Sequence, residues 1–251
     1  MKLFVCMIVL NEEENISHVI GLCHTFADEI IVVDGGSTDN TVIRAKKAGA
    51  DVCYSPWKDD FSLQRNISID CASSDFCMWV DADDFIPPVS IDKILDLKKN
   101  WKWSDTAFGF GLKNVNNMEQ CFSQVRLFPN RPDIRFKRRV HEQIGDSCID
   151  AGCNIFYLDE IEIWHTGYTD ETAVMRKARR NRRLIEMDAR QYPNDAYYKA
   201  MLADTYAMEQ NHREALEHYK EAYVMTGNGS EWIKEYVMKK IELTIKILTC
   251  N

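Results

Sequence analysis

The densest group of potential metal ligands lies at residues 80–84, which read VDADD and follow an apolar stretch. Asp81 and Asp83 stand at i and i+2 beyond a predicted strand, so their carboxylates can reach one hard divalent cation. Mg²⁺ and Mn²⁺ favour such oxygen ligands and keep coordination positions open for phosphate oxygens. A solvated acidic turn without a ligand explains this segment alone equally well, so its meaning depends on its neighbours.

A second polar group follows a different apolar run. Asp34 is succeeded by the stretch GGS and by a predicted helix start. A carboxylate there can accept a hydrogen bond from a ribose hydroxyl or a base N–H, and glycines let a backbone approach a ligand closely. Asn11, after the first predicted strand, is expected beside Asp34. Without any ligand, DGGSTDNT (34–41) is also a competent turn and helix cap.

These polar groups require a sheet whose strands end at one edge. Four apolar runs have the composition of strands, the first two of them typical of strands buried in a sheet, and helical patterns separate them. The predicted strands are 3–10, 29–34, 52–55 and 75–80, and the predicted helices end near 26, 49 and 72. Alternating strands and helices predict an α/β fold with a mostly parallel, Rossmann-like sheet, in which ligands bind beyond the carboxyl ends of strands. Residues 103–164 are strand-rich.

The composition argues against a nucleic-acid-binding protein. The net charge is −8, whereas binding to nucleic acid needs a basic surface. Nine cysteines at irregular spacings include no CxxC pair, so neither a disulfide framework nor a zinc ribbon is indicated. The sequence has no run of about 18 apolar residues, so no transmembrane segment is predicted. It also lacks a small-residue cleavage site, so no signal peptide is predicted. We therefore expect a cytoplasmic protein, or one that works at the inner face of the membrane.

After residue 168 the pattern becomes helical, with predicted helices at 169–191, 195–209, 213–226 and 231–248. Small and large residues at 194–227 follow the tetratricopeptide (TPR) pattern. The matching residues are Leu202, Ala203, Tyr206, Ala215, Tyr219 and Ala222. A single repeat cannot bury its own face, so neighbouring helices must pack on it. This module is either a groove that binds a peptide or protein, or a helical cap that covers the catalytic domain or forms a homodimer.

Taken together, four segments resemble the inverting family 2 glycosyltransferases of the GT-A fold. The matching segments are IVLNEEENI (8–16), IIVVDGGSTDNT (30–41), FSLQRNISID (61–70) and MWVDADD (78–84). The resemblance covers about residues 1–168 and is closest to a cytosolic subgroup with attached tetratricopeptide helices. It implies a GT-A nucleotide-diphospho-sugar transferase domain at 1–168 and an α-helical TPR-like module at 169–251.

The resemblance also implies how the donor is held. Asp34 would contact the uridine, and the backbone around Leu10 and Asn11 would line the same pocket. Arg65 would approach the base or the phosphates, and Asp81 would lie near the ribose and the metal.

A divalent cation, Mn²⁺ or Mg²⁺, is implied as well. Asp83 would be its principal ligand, and His165 would complete the shell. Asp84 would either assist or only cap the segment that follows. A histidine after an apolar stretch is, by itself, more often structural.

The acceptor must lose a proton as it attacks the sugar, so a base is required near it. Glu142, in the dipeptide His141-Glu142, is the candidate base, and His141 would orient it or contact a phosphate. The alternative is a purely structural polar pair. Lys177 and Arg180 match a weaker pattern for contacts to the diphosphate, although a solvated basic helix face explains them too.

These residues predict transfer of a single sugar from a UDP-sugar to a peptide, protein or cell-envelope glycan. The QxxRW motif of processive synthases is missing, because no Trp follows Arg126. One alternative is an interaction protein whose tetratricopeptide surface is functional and whose nucleotide-sugar domain is inactive or regulatory. Another is a nucleotidyltransferase, which the acidic turn NEEEN (11–15) disfavours because it would repel a triphosphate.

Overall fold

The computed structural model describes residues 2–100, 104–115, 117–165, 171–227 and 231–250. The chain divides into two compact units, Met1–Thr169 and Asp170–Asn251. The predicted domain boundary at 168/169 falls outside the described residues and stays a prediction.

The first unit contains eight strands and five helices in its described part. In chain order they are β1 (Leu3–Val9), α1 (Ile16–Cys23), β2 (Glu29–Asp34), α2 (Thr41–Lys47), β3 (Asp51–Tyr54), α3 (Phe61–Asp70), β4 (Phe76–Trp79), β5 (Asp84–Phe85), α4 (Pro88–Asn100), β6 (Thr106–Asn114), β7 (Asn117–Pro129), α5 (Gly145–Asp150) and β8 (Asn154–His165).

All eight strands form one sheet in the order β3-β2-β1-β4-β7-β6-β8-β5. The first four strands of this order are mutually parallel, whereas β7 pairs antiparallel with β4 and β6, and β5 pairs antiparallel with β8. The predicted α/β fold with a mostly parallel sheet is confirmed. Because β1 has β2 on one side and β4 on the other, the connections reverse direction there, which opens a crevice at the carboxyl ends of these strands.

The sequence of β1 explains why this strand lies at the centre. Alternate side chains along it point to opposite faces of the sheet. Val5 and Met7 belong to one buried cluster, whereas Phe4 and Cys6 belong to a second one. A strand that is apolar at every position therefore becomes covered on both sides, and its polar continuation is left at the sheet edge.

One local feature differs from the expected pattern. The helix expected to reach residue 26 ends at Cys23, where Thr25 Oγ1 donates to the carbonyl of Leu22 and closes a turn. The start of α2 agrees with the expected cap in segment 34–41, because Asp39 Oδ1 accepts from the backbone N–H of Thr41 at 2.9 Å.

The second unit contains four helices in its described part: α6 (Glu171–Gln191), α7 (Ala196–Met208), α8 (His212–Thr226) and α9 (Glu231–Cys250). Asp195 caps α7, as its position after a proline and an asparagine predicts. The tetratricopeptide-pattern residues Ala203, Ala215, Tyr219 and Ala222 are buried in one cluster. The helical module is thus confirmed, and its assignment as a tetratricopeptide repeat stays a prediction. Across the described ranges, no helix has the length and apolar character needed to cross a membrane.

Candidate functional site

The loops that follow β1 and β2 are tied together through Asn11. Its backbone N–H donates to Ser37 Oγ at 2.9 Å, and its side-chain Oδ1 accepts from the N–H of Thr38 at 2.8 Å. Asn11 has a positive φ of 56°, a conformation that asparagine tolerates better than most residues. Asn11 therefore lies beside the loop that follows Asp34, as the sequence predicts. Leu10, beside it, is 49% exposed.

Asp34 ends β2 with its carboxylate fixed by its own loop. The N–H of Gly36 donates to Oδ2 at 3.0 Å, and the N–H of Ser37 donates to the same oxygen at 3.1 Å. Gly36 has a φ of 111°, which favours glycine at this position. Asp34 is only 2% exposed and pairs in register with Val9. β1 lies between β2 and β4, so two strand spacings, roughly 10 Å, separate β2 from β4 across the sheet.

Beyond β4, three carboxylates and one histidine converge. One ligand atom from each of Asp81, Asp83, Asp84 and His165 lies within 4.8 Å of the others. Strand pairing brings them together, because Asp84 in β5 is the register partner of His165 at the end of β8. Asp83 Oδ2 lies 3.3 Å from His165 Nε2.

The donor set fits a divalent cation. Carboxylate oxygens suit Mg²⁺ and Mn²⁺, and an imidazole nitrogen is acceptable to Mn²⁺. Asp83 and His165 would hold the ion, and Asp81 stands next to them. Burial would lower the pKa of His165, but the bond to Asp84 and the carboxylates of Asp83 and Asp81 raise it above its ordinary value. The site therefore attracts positive charge.

Arg65 on α3 connects two predicted functional residues. Its Nη2 donates to Asp81 Oδ1 at 2.9 Å, and its Nε donates to Glu142 Oε1 at 2.7 Å. Its guanidinium lies 4.1 Å from the centroid of the Trp79 ring. Burial lowers the pKa of Arg65, but Asp81 and Glu142 raise it above its ordinary value. Arg65 thus clamps a carboxylate of the metal group to the candidate base, which the sequence does not reveal.

The ionised form of Asp81 is strongly favoured. Burial would raise the pKa of its carboxyl group, but the nearby guanidinium groups of Arg65 and Arg126 outweigh burial and hold the pKa at about 2. At neutral pH this carboxylate is fully charged and can face a cation.

The segment that carries the candidate base is a closed loop. Lys137 and Gln143 pair across its base, and Arg138 and His141 both have positive φ, at 82° and 54°. Such backbone strain clusters at functional sites and persists only where the surroundings enforce it. The contacts that hold this loop include the Lys137–Gln143 pairing and the ion pair of Arg65 with Glu142. His141 is exposed and Glu142 is half-buried.

The remaining predicted contacts lie in the second unit. Lys177 and Arg180 are both half-buried on α6, and Arg180 donates to the side-chain oxygen of its neighbour Asn181. Their role at a diphosphate stays a prediction.

The sequence of the first unit matches a known family. The model of the family described as glycosyl transferase family 2 matches residues 4–164. The chain belongs to this family. The family assignment made from the four segments is confirmed, and the site residues of this family 2 glycosyltransferase domain stay predictions.

Relatives extend the similarity beyond this domain. A TPR repeat-containing protein of Synechococcus elongatus is 32% identical over 81% of this chain and 52% of its own length. The SPbeta prophage-derived glycosyltransferase SunS of Bacillus subtilis is 25% identical over 86% of this chain and 52% of its own. This family 2 chain therefore spans about half the length of these relatives. Among solved structures, S. aureus TarS 1-349 in complex with UDP-GlcNAc is 15% identical, with a TM-score of 0.60, and covers 97% of this chain and 89% of its own. That likeness shows a shared fold.

Two residues that complete the site were not predicted. Arg126 donates from Nη1 to Asp84 Oδ2 at 2.9 Å and lies 3.6 Å from the centroid of the Trp79 ring. Trp79 in turn donates from Nε1 to the carbonyl of Val125 at 2.8 Å. An arginine inside a strand-rich, apolar segment is the one signal that could have indicated a buried ionic partner.

Proposed function

We propose that this chain is an inverting glycosyltransferase that moves a single sugar from a UDP-sugar to an acceptor, with Mn²⁺ or Mg²⁺ bound. The observation that carries the proposal is the convergence of Asp81, Asp83 and His165 at the same sheet edge where Asp34 ends β2. Membership of family 2 and the GT-A-type sheet support it. The acceptor we propose is a peptide, a protein or a cell-envelope glycan.

The residues divide the work by position. Asp34 and the Asn11 loop form a rigid polar surface for the nucleoside, because their own hydrogen bonds fix them before any ligand arrives. Asp83 and His165 would hold the cation, which when bound neutralises the charge of the departing nucleoside diphosphate.

Glu142 is the proposed base that takes the acceptor proton. Arg65 Nε donates to Glu142 Oε1 at 2.7 Å, which fixes the place from which the carboxylate would accept a proton. The same arginine grips Asp81. Base and metal group are therefore held at one fixed separation, as an in-line attack on the sugar requires.

Measurement of UDP release with a panel of UDP-sugars tests the proposal. UDP-GlcNAc belongs in that panel because it is bound by TarS, which shares the fold. With the preferred donor and Mn²⁺, we expect Asp83→Asn to lower kcat/KM by on the order of 10³-fold. Asp96→Asn, the same change on the exposed side of α4, is the matched control and should leave the rate unchanged.

Two outcomes would overturn the proposal. Activity that survives both Asp83→Asn and a chelator would remove the metal from the mechanism. Failure of UDP with Mn²⁺ to bind at millimolar concentration in calorimetry would favour the alternative of an interaction protein with an inactive nucleotide-sugar domain.

A further inference from the structure

The most deeply buried ion pair near the site has no role in the mechanism above. The side chains of Arg126 and Asp84 are 2% and 0% exposed, and Nη1 of the arginine lies 2.9 Å from Oδ2 of the carboxylate. Removing two charges from water costs much free energy unless further hydrogen bonds satisfy them. A pair of this kind is weak evidence for stability alone, so its other contacts indicate what it does.

Both oxygens of Asp84 are occupied by groups of the protein. Oδ2 accepts from Arg126 and also from the backbone N–H of Asp81 at 2.8 Å. Oδ1 lies 3.1 Å from His165 Nδ1. Although Asp84 belongs to the acidic group by distance, both of its oxygens already make hydrogen bonds to groups of the protein. Its contacts instead reach two of the residues that surround the proposed ion.

The contact with His165 decides which ring nitrogen faces the ion. A proton on Nδ1 donates to Asp84, and the opposite nitrogen, Nε2, is then directed at Asp83 Oδ2, 3.3 Å away. Histidine ligands of metals commonly use one nitrogen for a carboxylate and the other for the metal, and this arrangement fixes the tautomer and the ring orientation.

We propose that Arg126 and Asp84 are positioning residues that hold His165 and the backbone of Asp81 in the arrangement that binds the cation. This inference rests on the proposed metal-dependent function. Arg126 acts indirectly, because it holds the carboxylate of Asp84, which in turn contacts His165. The planar guanidinium of Arg126 also lies 3.6 Å from the centroid of the Trp79 ring. Lysine would keep the charge but not the planar contact or the fork of donors.

The test measures Mn²⁺ binding to the full chain by electron paramagnetic resonance, with neither donor nor acceptor present. We expect Asp84→Asn and Arg126→Lys to weaken Mn²⁺ binding by about 10- to 100-fold, and His165→Ala to weaken it at least as much. Asp204→Asn, the same change at a carboxylate of the second unit, is the matched control and should bind Mn²⁺ like wild type. Mn²⁺ binding unchanged in Asp84→Asn, with His165→Ala impaired, would overturn the proposal.

A second readout does not depend on the ion. Imidazole ¹⁵N chemical shifts at about pH 9, well above the ordinary pKa of histidine, report which nitrogen of His165 carries the proton. The proposal requires the Nδ1–H form in the metal-free wild type and a mixture of tautomers in Asp84→Asn. If wild type binds no Mn²⁺ yet shows this change, the metal-dependent function fails while the positioning role stands. If His165 has the same tautomer in wild type and in Asp84→Asn, the proposed positioning role is wrong.

Discussion

Each unit contains a carboxylate with several hydrogen-bond or ion-pair partners, and the two networks differ in whether one partner belongs to the candidate metal site. Asp204 on α7 accepts from the hydroxyls of Tyr219 and Tyr236, both at 2.5 Å, and pairs with Lys240 at 2.8 Å. These partners lie on α8 and α9, so that network joins three helices of the second unit. Asp84 also has three partners, but one of them is His165, whose second nitrogen faces Asp83.

This difference separates two uses of the same chemistry. A carboxylate such as Asp204, whose partners only join helices to one another, is expected to contribute stability alone. A carboxylate such as Asp84, one of whose partners is a candidate metal ligand, is expected also to set the geometry of the ligand site. If the distinction is right, changes at Asp204 should alter unfolding and leave ligand binding alone. Changes at Asp84 should alter both.

The largest effect is expected from Asp84→Ala. Removal of the Asp84 carboxylate leaves the guanidinium of Arg126 buried without a charged partner. This lowers the free energy of unfolding by about 3–5 kcal/mol. Urea unfolding in the presence of a chelator measures this loss. Hydrogen exchange then shows whether the loss falls in the first unit. Asp84→Asn should lose less, because the amide oxygen still accepts from Arg126. A loss below about 1 kcal/mol for Asp84→Ala would show that Arg126 finds water or another partner.

The second effect concerns pH and Asp81. Its pKa of about 2 in the folded chain lies below the ordinary value of 3.8, so its ionised form contributes about 2 kcal/mol of stability. A depressed folded pKa means that this contribution is complete above about pH 5 and is lost as the pH falls towards 2. We therefore expect the stability difference between wild type and Asp81→Asn, measured by urea unfolding with a chelator present, to shrink across that range. Parallel pH curves for the two proteins would contradict the assignment.

The third effect tests the closed network in the second unit. Asp204→Asn removes a charged acceptor from two tyrosine hydroxyls and a lysine, and we expect a loss of about 2 kcal/mol. The loss should appear in hydrogen exchange of α7, α8 and α9, and UDP release should proceed at the wild-type rate. A slower reaction with unchanged stability would erase the distinction between the networks.

The sequence predicts the first half of the fold well, because local patterns suffice there. The runs of β1 and β2 are apolar at nearly every position, which is typical of central parallel strands. α4 was not among the predicted elements, since Pro87-Pro88 usually marks a break, although proline is favoured in the first turn of a helix and Pro88 begins one here. β6 and β7 are neighbours in the chain, but β8 lies beside β6 through distant pairs such as Thr106 with Asn154, with a register shift that no local pattern encodes.

The candidate site divides in a similar way. Asp34 ends one predicted strand, and Asp81 and Asp83 follow another, so their location at one edge follows from the alternation of strands and helices. The pairing of Arg126 with Asp84 spans 42 positions in the sequence and depends on β7 lying beside β4. The clamp of Arg65 on Glu142 spans 77 positions. Such pairs become visible only when the sheet order is known.

The smallest effect distinguishes the two tyrosines that share Asp204. Tyr219 is fully buried, whereas Tyr236 is half-buried, so water can replace a lost hydrogen bond more easily at Tyr236. We expect Tyr236→Phe to cost about 0.5–1 kcal/mol and Tyr219→Phe about 1–1.5 kcal/mol in urea unfolding. Because Asp204 keeps Lys240 and the other hydroxyl in each variant, neither change leaves its charge unpaired. The double variant should also be measured. If it loses clearly more unfolding free energy than the two single variants do in sum, the hydroxyls support each other through the shared carboxylate and the network acts as one unit.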